Sequence, residues 1–228
     1  VKLRKEVLEV SSQEVMMIAE GIVDTLYMTI VSAFFGYVIG LPWGIVLTVT
    51  GKDGIHPNKA VYQVLDTVTN IMRSIPFLIL LILVLPVTFF IVGKTYGSTA
   101  TIVPLVISAS PLIARMVESS LNEVDKGVIE AAQSMGADNF QIVTRVLLGE
   151  AKISLISGAT ITTGTILGYS AMAGTVGGGG LGDIAIRYGY YRYQANILWV
   201  TVILLVLLVQ IFQLIGNLIS AKLDKRRV

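Results

Sequence analysis

Cysteine is absent from the 228 residues, which excludes disulfides, thiolate nucleophiles and cysteine-held metals together. Histidine occurs once, as His56 in the turn-like stretch "GKDGIHPNK". A lone imidazole makes a poor metal site, so His56 reads as a surface residue. Charge is scarce: Asp, Glu, Lys and Arg make up 14% of the chain, against roughly 25% in an ordinary soluble domain. The formal net charge is +2, and no basic stripe interleaves with aromatics, so nucleic-acid binding has no footing. What fills the chain instead is apolar, with 54% hydrophobic residues. That balance is the composition of a membrane protein.

Five stretches contain no Asp, Glu, Lys or Arg: Thr25–Gly51, Ser74–Gly93, Thr95–Ala114, Ile153–Gly182 and Tyr193–Ala221. A helix needs about 20 apolar residues to cross the hydrocarbon, and each run is long enough. Helices are predicted over strands, because the runs lack alternation and a bilayer offers backbone groups no outside partner. Lys94 in the "GKTYGS" turn separates the second and third spans, which form a tight hairpin. The fourth run is longer than one span, and predicts a helix from about Ile153 to Thr175 followed by a glycine-rich loop. The expected fold is an all-α membrane protein with five transmembrane helices.

The basic tail "KLDKRRV" places the C-terminus in the cytoplasm, and five spans then put the N-terminus outside. This choice leaves eleven Lys and Arg inside against six outside; the basic start weighs mildly the other way. The charged, mixed start lacks the pattern of a cleavable leader. Residues 1–20 read as an amphipathic helix on the membrane surface or a solvated segment. Residues 21–228 form the transmembrane domain, with a cytoplasmic loop at 118–152.

That loop holds the one conspicuous water-soluble insert, "EAAQSMGADNFQIVTRVLLGEA". "DKGVIEAAQSMG" predicts a short helix, with Asp125 capping its start and Gly136 ending it in a left-handed conformation. "DNFQIVTRVLL" predicts a second, with Asp138 and Gln141 at capping-box spacing. Val128, Ile129, Ala132 and Met135 line an apolar face on the first. Phe140, Val143, Val146 and Leu147 line one on the second. Ala131 and Ala132 are small, so a bulky group can sit close against the first helix. Such an insert suits a knob that docks into a partner's groove.

The insert resembles the EAA loop of permease subunits of bacterial ATP-binding-cassette importers: Glu-Ala-Ala, three residues, Gly, then an apolar helix and Leu-Pro. Glu130, Ala131, Ala132 and Gly136 fall on that pattern, whereas Gly149 stands where Pro is usual and implies a looser exit. The segments "DTLYMTIVSAFFGYVIGLPWGIVL", "NIMRSIPFLILL", "PLIARMVESSL" and "GYSAMAGTVGGGGLGDIAIRYGYYRY" extend the resemblance to the methionine-importer branch, from Gly21 onward. The resemblance implies the type I ABC importer permease fold in a bacterial inner membrane, and a pathway for D- or L-methionine or both. It implies a coupling site at Glu130, Ala131, Ala132, Met135 and Gly136. It also implies a permease homodimer, two cytoplasmic ATPase subunits and an extracytoplasmic substrate-binding lipoprotein, all arranged around the lipid bilayer. The chain is then no enzyme and needs no cofactor of its own, with ATP and Mg on the partner ATPase. Another amino acid or small solute of the same importer class is the alternative cargo.

Other motifs are weighed against plainer readings. "GGGGLG" at Gly177–Gly182 fits a dinucleotide fingerprint in form, but follows a membrane helix where that fingerprint needs a strand. "VGKT" at Val92–Thr95 lacks the upstream glycine of a phosphate-binding loop. Met172, set among small residues, is either a thioether plug in the pathway or packing. Tyr169 and Ser170 are candidates for polar contact with a solute. Arg187, Tyr190, Tyr191 and Arg192 form either an interfacial aromatic belt or a docking surface for a binding protein. An ion-coupled carrier is the rival reading. The lack of Asp, Glu, Lys and Arg in the five runs counts against it.

Overall fold

The computed structural model describes residues 12–223, and among them every regular element is helical. Helix α1 spans Ser12–Thr50 and contains Pro42. After a folded-back turn come α2 (Lys59–Ser74), α3 (Phe77–Leu83) and α4 (Leu85–Val92). Helix α5 covers Ser98–Asn122 and α6 covers Lys126–Ser134. Helix α7 starts at Asn139–Gln141, widens to a π-helix over Ile142–Leu147 and tightens again over Leu148–Glu150. Helix α8 is Lys152–Ala173. The short α9, Gly180–Ile184, runs into a π-turn at Ala185–Tyr190, and α10 is Ala195–Leu223.

The helices distribute into two compact units. The first comprises 12–34, 76–107 and 163–213, the second 35–75, 108–162 and 214–223.

In the second unit, α1 presents Gly36, Gly40 and Gly44 to α5, one glycine per helical turn. A Cβ on Gly40 would lie 2.7 Å from the Ser110 carbonyl oxygen and 2.8 Å from Ile113 Cβ. One on Gly44 would lie 2.6 Å from Val117 Cβ. Small residues at four-residue spacing let two membrane helices touch backbone to backbone, and this ridge sets the α1–α5 crossing. The turn after α1 folds back on it: the His56 amide donates to the Val49 carbonyl and the Asn58 amide to Thr50. Asn58 then caps α2, its side chain accepting from the Val61 amide at 3.2 Å.

In the first unit, the glycine-rich stretch is a clasp. The Gly97 amide donates to Gly177, the Thr101 hydroxyl to Gly178, and the Leu181 amide to the Thr25 hydroxyl. Gly179 and Gly180 adopt φ of 82° and 74°, a region L-residues with side chains avoid. At Gly180 a Cβ would also meet Thr25 Oγ1 at 2.6 Å.

Several expectations are corrected. Helix α1 begins by Ser12, so residues 12–20 are helical and continuous with the first run: Gln, Glu, Met and Ala there are ordinary helix formers, and scattered charge does not stop a helix. Residues 1–11 of that expected segment, and 224–228 of the basic tail, lie outside the described residues. The run Ser74–Gly93 is not one helix. Ile75 precedes Pro76, so it is extended, with ψ of 122°, and α3 leaves α2 at a bend of 104°. A second interruption precedes Pro86. Helix α5 continues through Arg115 to Asn122, so the segment between it and α6 is 123–125. Gly180–Ile184 form α9 where a loop was expected. Among the described residues three helices, α1, α5 and α10, are long and apolar enough to cross a bilayer, or four if the bent α2–α3 pair is one span. Helix α8, long enough at about 33 Å, is diluted by serine, threonine and glycine.

Candidate functional site

The insert between α5 and α8 is fixed at each end by its own side chains. Asp125 caps α6, accepting from the Gly127 amide at 2.6 Å. The helix ends as the sequence predicts: Gly136 takes φ of 83°, and the amide of Ala137 reaches back to the Ala132 carbonyl. Asp138 then starts α7 with a complete capping box, its carboxylate accepting from the Gln141 amide at 2.8 Å. The Gln141 side chain accepts in return from the Asp138 amide at 3.2 Å. Replacing Asp138 with alanine is expected to cost about 1 kcal/mol and to speed hydrogen exchange at the Gln141 amide.

The faces of the insert differ from the sequence expectation. Ala132 is 5% exposed, packed inside the chain, so it braces the insert and leaves no surface for a partner. Ile142 and Leu147 are buried while Phe140 is 76% exposed. The π-turn explains the exchange: five residues separate the two buried side chains, matching the i→i+5 repeat, and the 3.6-residue period misplaces the face. What points outward is Val128, Glu130, Ala131, Met135 and Phe140, with Met135 82% exposed.

Behind the insert, in the same unit, lies an ionic cluster that sequence reasoning missed. Arg115 on α5 donates through Nη2 to Asp66 (2.5 Å) and Asn70 (2.9 Å) on α2, and through Nη1 to Glu118 (2.6 Å). The Tyr62 hydroxyl donates to the other Glu118 oxygen at 3.2 Å. The Glu118 side chain is 6% exposed, so its charge is tolerable only because both oxygens are held. The available signal was Asp66 and Asn70, one turn apart on α2. A cavity of about 400 Å³ separates this cluster from the insert, lined among others by Leu47, Tyr62, Glu118, Ile129 and Leu147. Lys126, at the start of α6, pairs with Asp53 at 3.4 Å, both largely exposed.

The first unit carries the remaining predicted residues. Met172 is 48% exposed near the end of α8. Tyr169, one turn earlier, stacks on Phe77, with ring centroids 4.7 Å apart and planes within 2°. Ser170 is 1% exposed and donates to the Leu167 carbonyl of its own helix. That placement turns the Ser170 hydroxyl onto its own helix. Arg187 is paired with Asp183, and the Arg192 guanidinium lies over the Tyr188 ring, 4.5 Å from its centroid. Tyr190 and Tyr191 are exposed and tilted against each other. The structure thus brings Arg187, Tyr190, Tyr191 and Arg192 into one turn, with both cations already engaged by neighbours.

The family described as "Binding-protein-dependent transport system inner membrane component" matches residues 40–228. A "Probable D-methionine transport system permease protein MetI" of Vibrio cholerae is 50% identical over 203 residues, 89% of this chain and 90% of that protein. The "Methionine import system permease protein MetP" of Bacillus subtilis is 47% identical over 203 residues, 89% of this chain and 91% of its own. Among solved structures, a chain from "Inward facing conformations of the MetNI methionine ABC transporter" superposes with a TM-score of 0.93 at 47% identity. The match covers 95% of this chain and all of that one.

Proposed function

The chain belongs to the inner-membrane components of binding-protein-dependent transport systems, and from that premise we propose that it is the methionine-translocating permease subunit of an ATP-driven importer with the type I fold. It is a transporter component and not an enzyme. The observation that carries the reading is the insert: two capped helices seated on Ala132, Ile142 and Leu147, holding Val128, Met135 and Phe140 out toward a partner. Methionine as cargo is supported by the relatives of about 50% identity that are named for it.

In this proposal the chain crosses the bacterial inner membrane five times, by α1, the broken α2–α4 run, α5, α8 and α10. The N-terminus is outside and the C-terminus is in the cytoplasm, following the Lys and Arg bias. Two copies form the pathway. Two ATPase subunits bind ATP and Mg and grip the inserts around Glu130, Ala131, Met135 and Gly136. A binding lipoprotein meets the outer face at Tyr190, Tyr191 and their flanking arginines. Closure of the ATPase pair moves both inserts and opens the pathway outward, and hydrolysis returns it inward. Such alternation needs rigid seats at the inserts and a constriction that opens, for which Met172 is placed on a half-exposed turn.

Reconstituting the chain with its ATPase and binding protein tests the reading. Radiolabelled methionine uptake should stop on ATP depletion and survive collapse of ion gradients, and unlabelled methionine should compete better than other amino acids. Uptake that follows the ion gradient would sink it. Met172→Trp is expected to remove most uptake while the ATPase still co-purifies. Unchanged uptake would remove Met172 from the gate.

A further inference from the structure

The cavity between the insert and the ionic cluster raises a mechanical question. Where packed atoms are missing, a push is not passed on by contact. Helix α6 faces that void through Ile129, and its direct tie to the α1–α2 turn is the Lys126–Asp53 pair, largely exposed. An exposed pair of that kind is screened and weak. The insert is also joined covalently at both ends: residues 123–125 link α6 to α5, and Ala151 alone links α7 to α8, so a displaced insert pulls on both helices.

Arg115 is the point at which α5 is tied to α2. A planar guanidinium holds Asp66 and Asn70 on α2 through one nitrogen and Glu118 on its own helix through the other. A lysine ammonium lacks that fork. Glu118 is in turn held by Tyr62 of α2, so two separate side-chain links cross between the helices. Helix α2 then passes through the Ile75–Pro76 corner to Phe77, whose ring stacks on Tyr169. Tyr169 lies one turn before Met172.

We propose that Arg115 is a positioning residue that makes α2 and α5 move as one body, so that a pull on the insert arrives at the Phe77–Tyr169 stack beside Met172. The inference rests on the importer reading. It adds that productive coupling runs through the Arg115 cluster and that the exposed Lys126–Asp53 pair is dispensable.

The test uses the complete reconstituted transporter and reads methionine imported per ATP hydrolysed. The wild-type chain is assayed first. If its uptake does not depend on ATP, the importer reading fails, and the cluster is not the cause. Given ATP-driven uptake, Arg115→Gln is expected to keep ATPase binding and hydrolysis while lowering import per ATP about tenfold, within the range of measured coupling between sites. Arg115→Lys should fall between. Because Arg115→Gln strands the Glu118 charge, the triple variant D66N, R115Q, E118Q is made alongside it, with no charge left unpaired. Asp53→Asn should leave the ratio unchanged. As a rescue, Asn70→Cys with Arg115→Cys in this cysteine-free chain should be uncoupled until a bis-maleimide joins α2 to α5, and recoupled afterwards. A wild-type ratio in the triple variant, or transport blocked by the crosslink, overturns the proposal. So does failure of both the single and triple variants to assemble, since the cluster would then only hold the fold.

Discussion

Gly182→Ala should lower the thermal midpoint of the detergent-solubilised chain, where the same methyl group added at Gly164 of α8 should not. The new Cβ would lie 2.6 Å from Ala171 Cα and 2.7 Å from its carbonyl carbon. These are backbone atoms, so no rotamer change relieves the overlap. Gly174, on the opposite side of the same contact, faces the backbone of Gly182 and Asp183 just as closely. The two glycines let the end of α8 and the start of α9 touch directly. Overpacking by one methyl group costs about 1–3 kcal/mol where side chains can shift, and this site sits at or above the upper end. For a chain of this size that corresponds to roughly 6–12 °C. Gly164→Ala is the matched control: it lies on α8 too, nothing stands within 4 Å of its Cβ, and alanine gains up to about 1 kcal/mol of helix propensity. Equal midpoints for the two variants would show that the clasp is not closed as described. Uptake should be lost with Gly182→Ala, because the clasp ties the α4–α5 turn and the start of α1 to the segment that carries Met172.

The parts of this molecule that were legible in the sequence are those whose cause is local. Asp125, Gly136 and the Asp138–Gln141 pair act on amides within three residues, so their spacing alone announces them, and each does what its type predicts. The apolar runs announce α5 and α10 for the same reason. The break at Pro76 is equally local, because a residue before proline is pushed into the extended region. What the sequence hides is partnership across the chain. Gly36, Gly40 and Gly44 mark a close-packing ridge, yet nothing in their spacing names α5 as the helix received. Arg115 and Asp66 are far apart in sequence and meet only in the fold. Ser170 is a candidate in the sequence for its hydroxyl alone. Its burial is decided by whatever packs over it. Around the π-turn at Ile142–Leu147 the periodic reading holds for Leu147, which is buried, and fails at the start of the helix, where Phe140 faces outward and Ile142 inward.

That outward placement of Phe140 sets the second large effect. Phe140→Asp and Met135→Asp should each detach the ATPase while leaving the chain folded. Both side chains are mostly exposed, so neither contributes much to the insert's own stability, and an exposed substitution of this type ordinarily changes stability by under about 0.5 kcal/mol. Large apolar residues held outward on a capped, internally braced loop have little reason to persist in water unless a partner covers them. A central anchor of that kind carries about 2 kcal/mol or more of a protein–protein contact, so each substitution should weaken ATPase binding about 30-fold. Ala132→Leu should behave in the opposite manner, destabilising the insert from within because its site is already filled. The three variants separate the two roles when midpoint and ATPase affinity are measured together. The outward pair should lose affinity at constant midpoint, and the inward residue should lose midpoint first. If Phe140→Asp and Met135→Asp both retain a full complement of ATPase and normal uptake, the insert is not where the motor takes hold. The route through Arg115 would then have no force to carry.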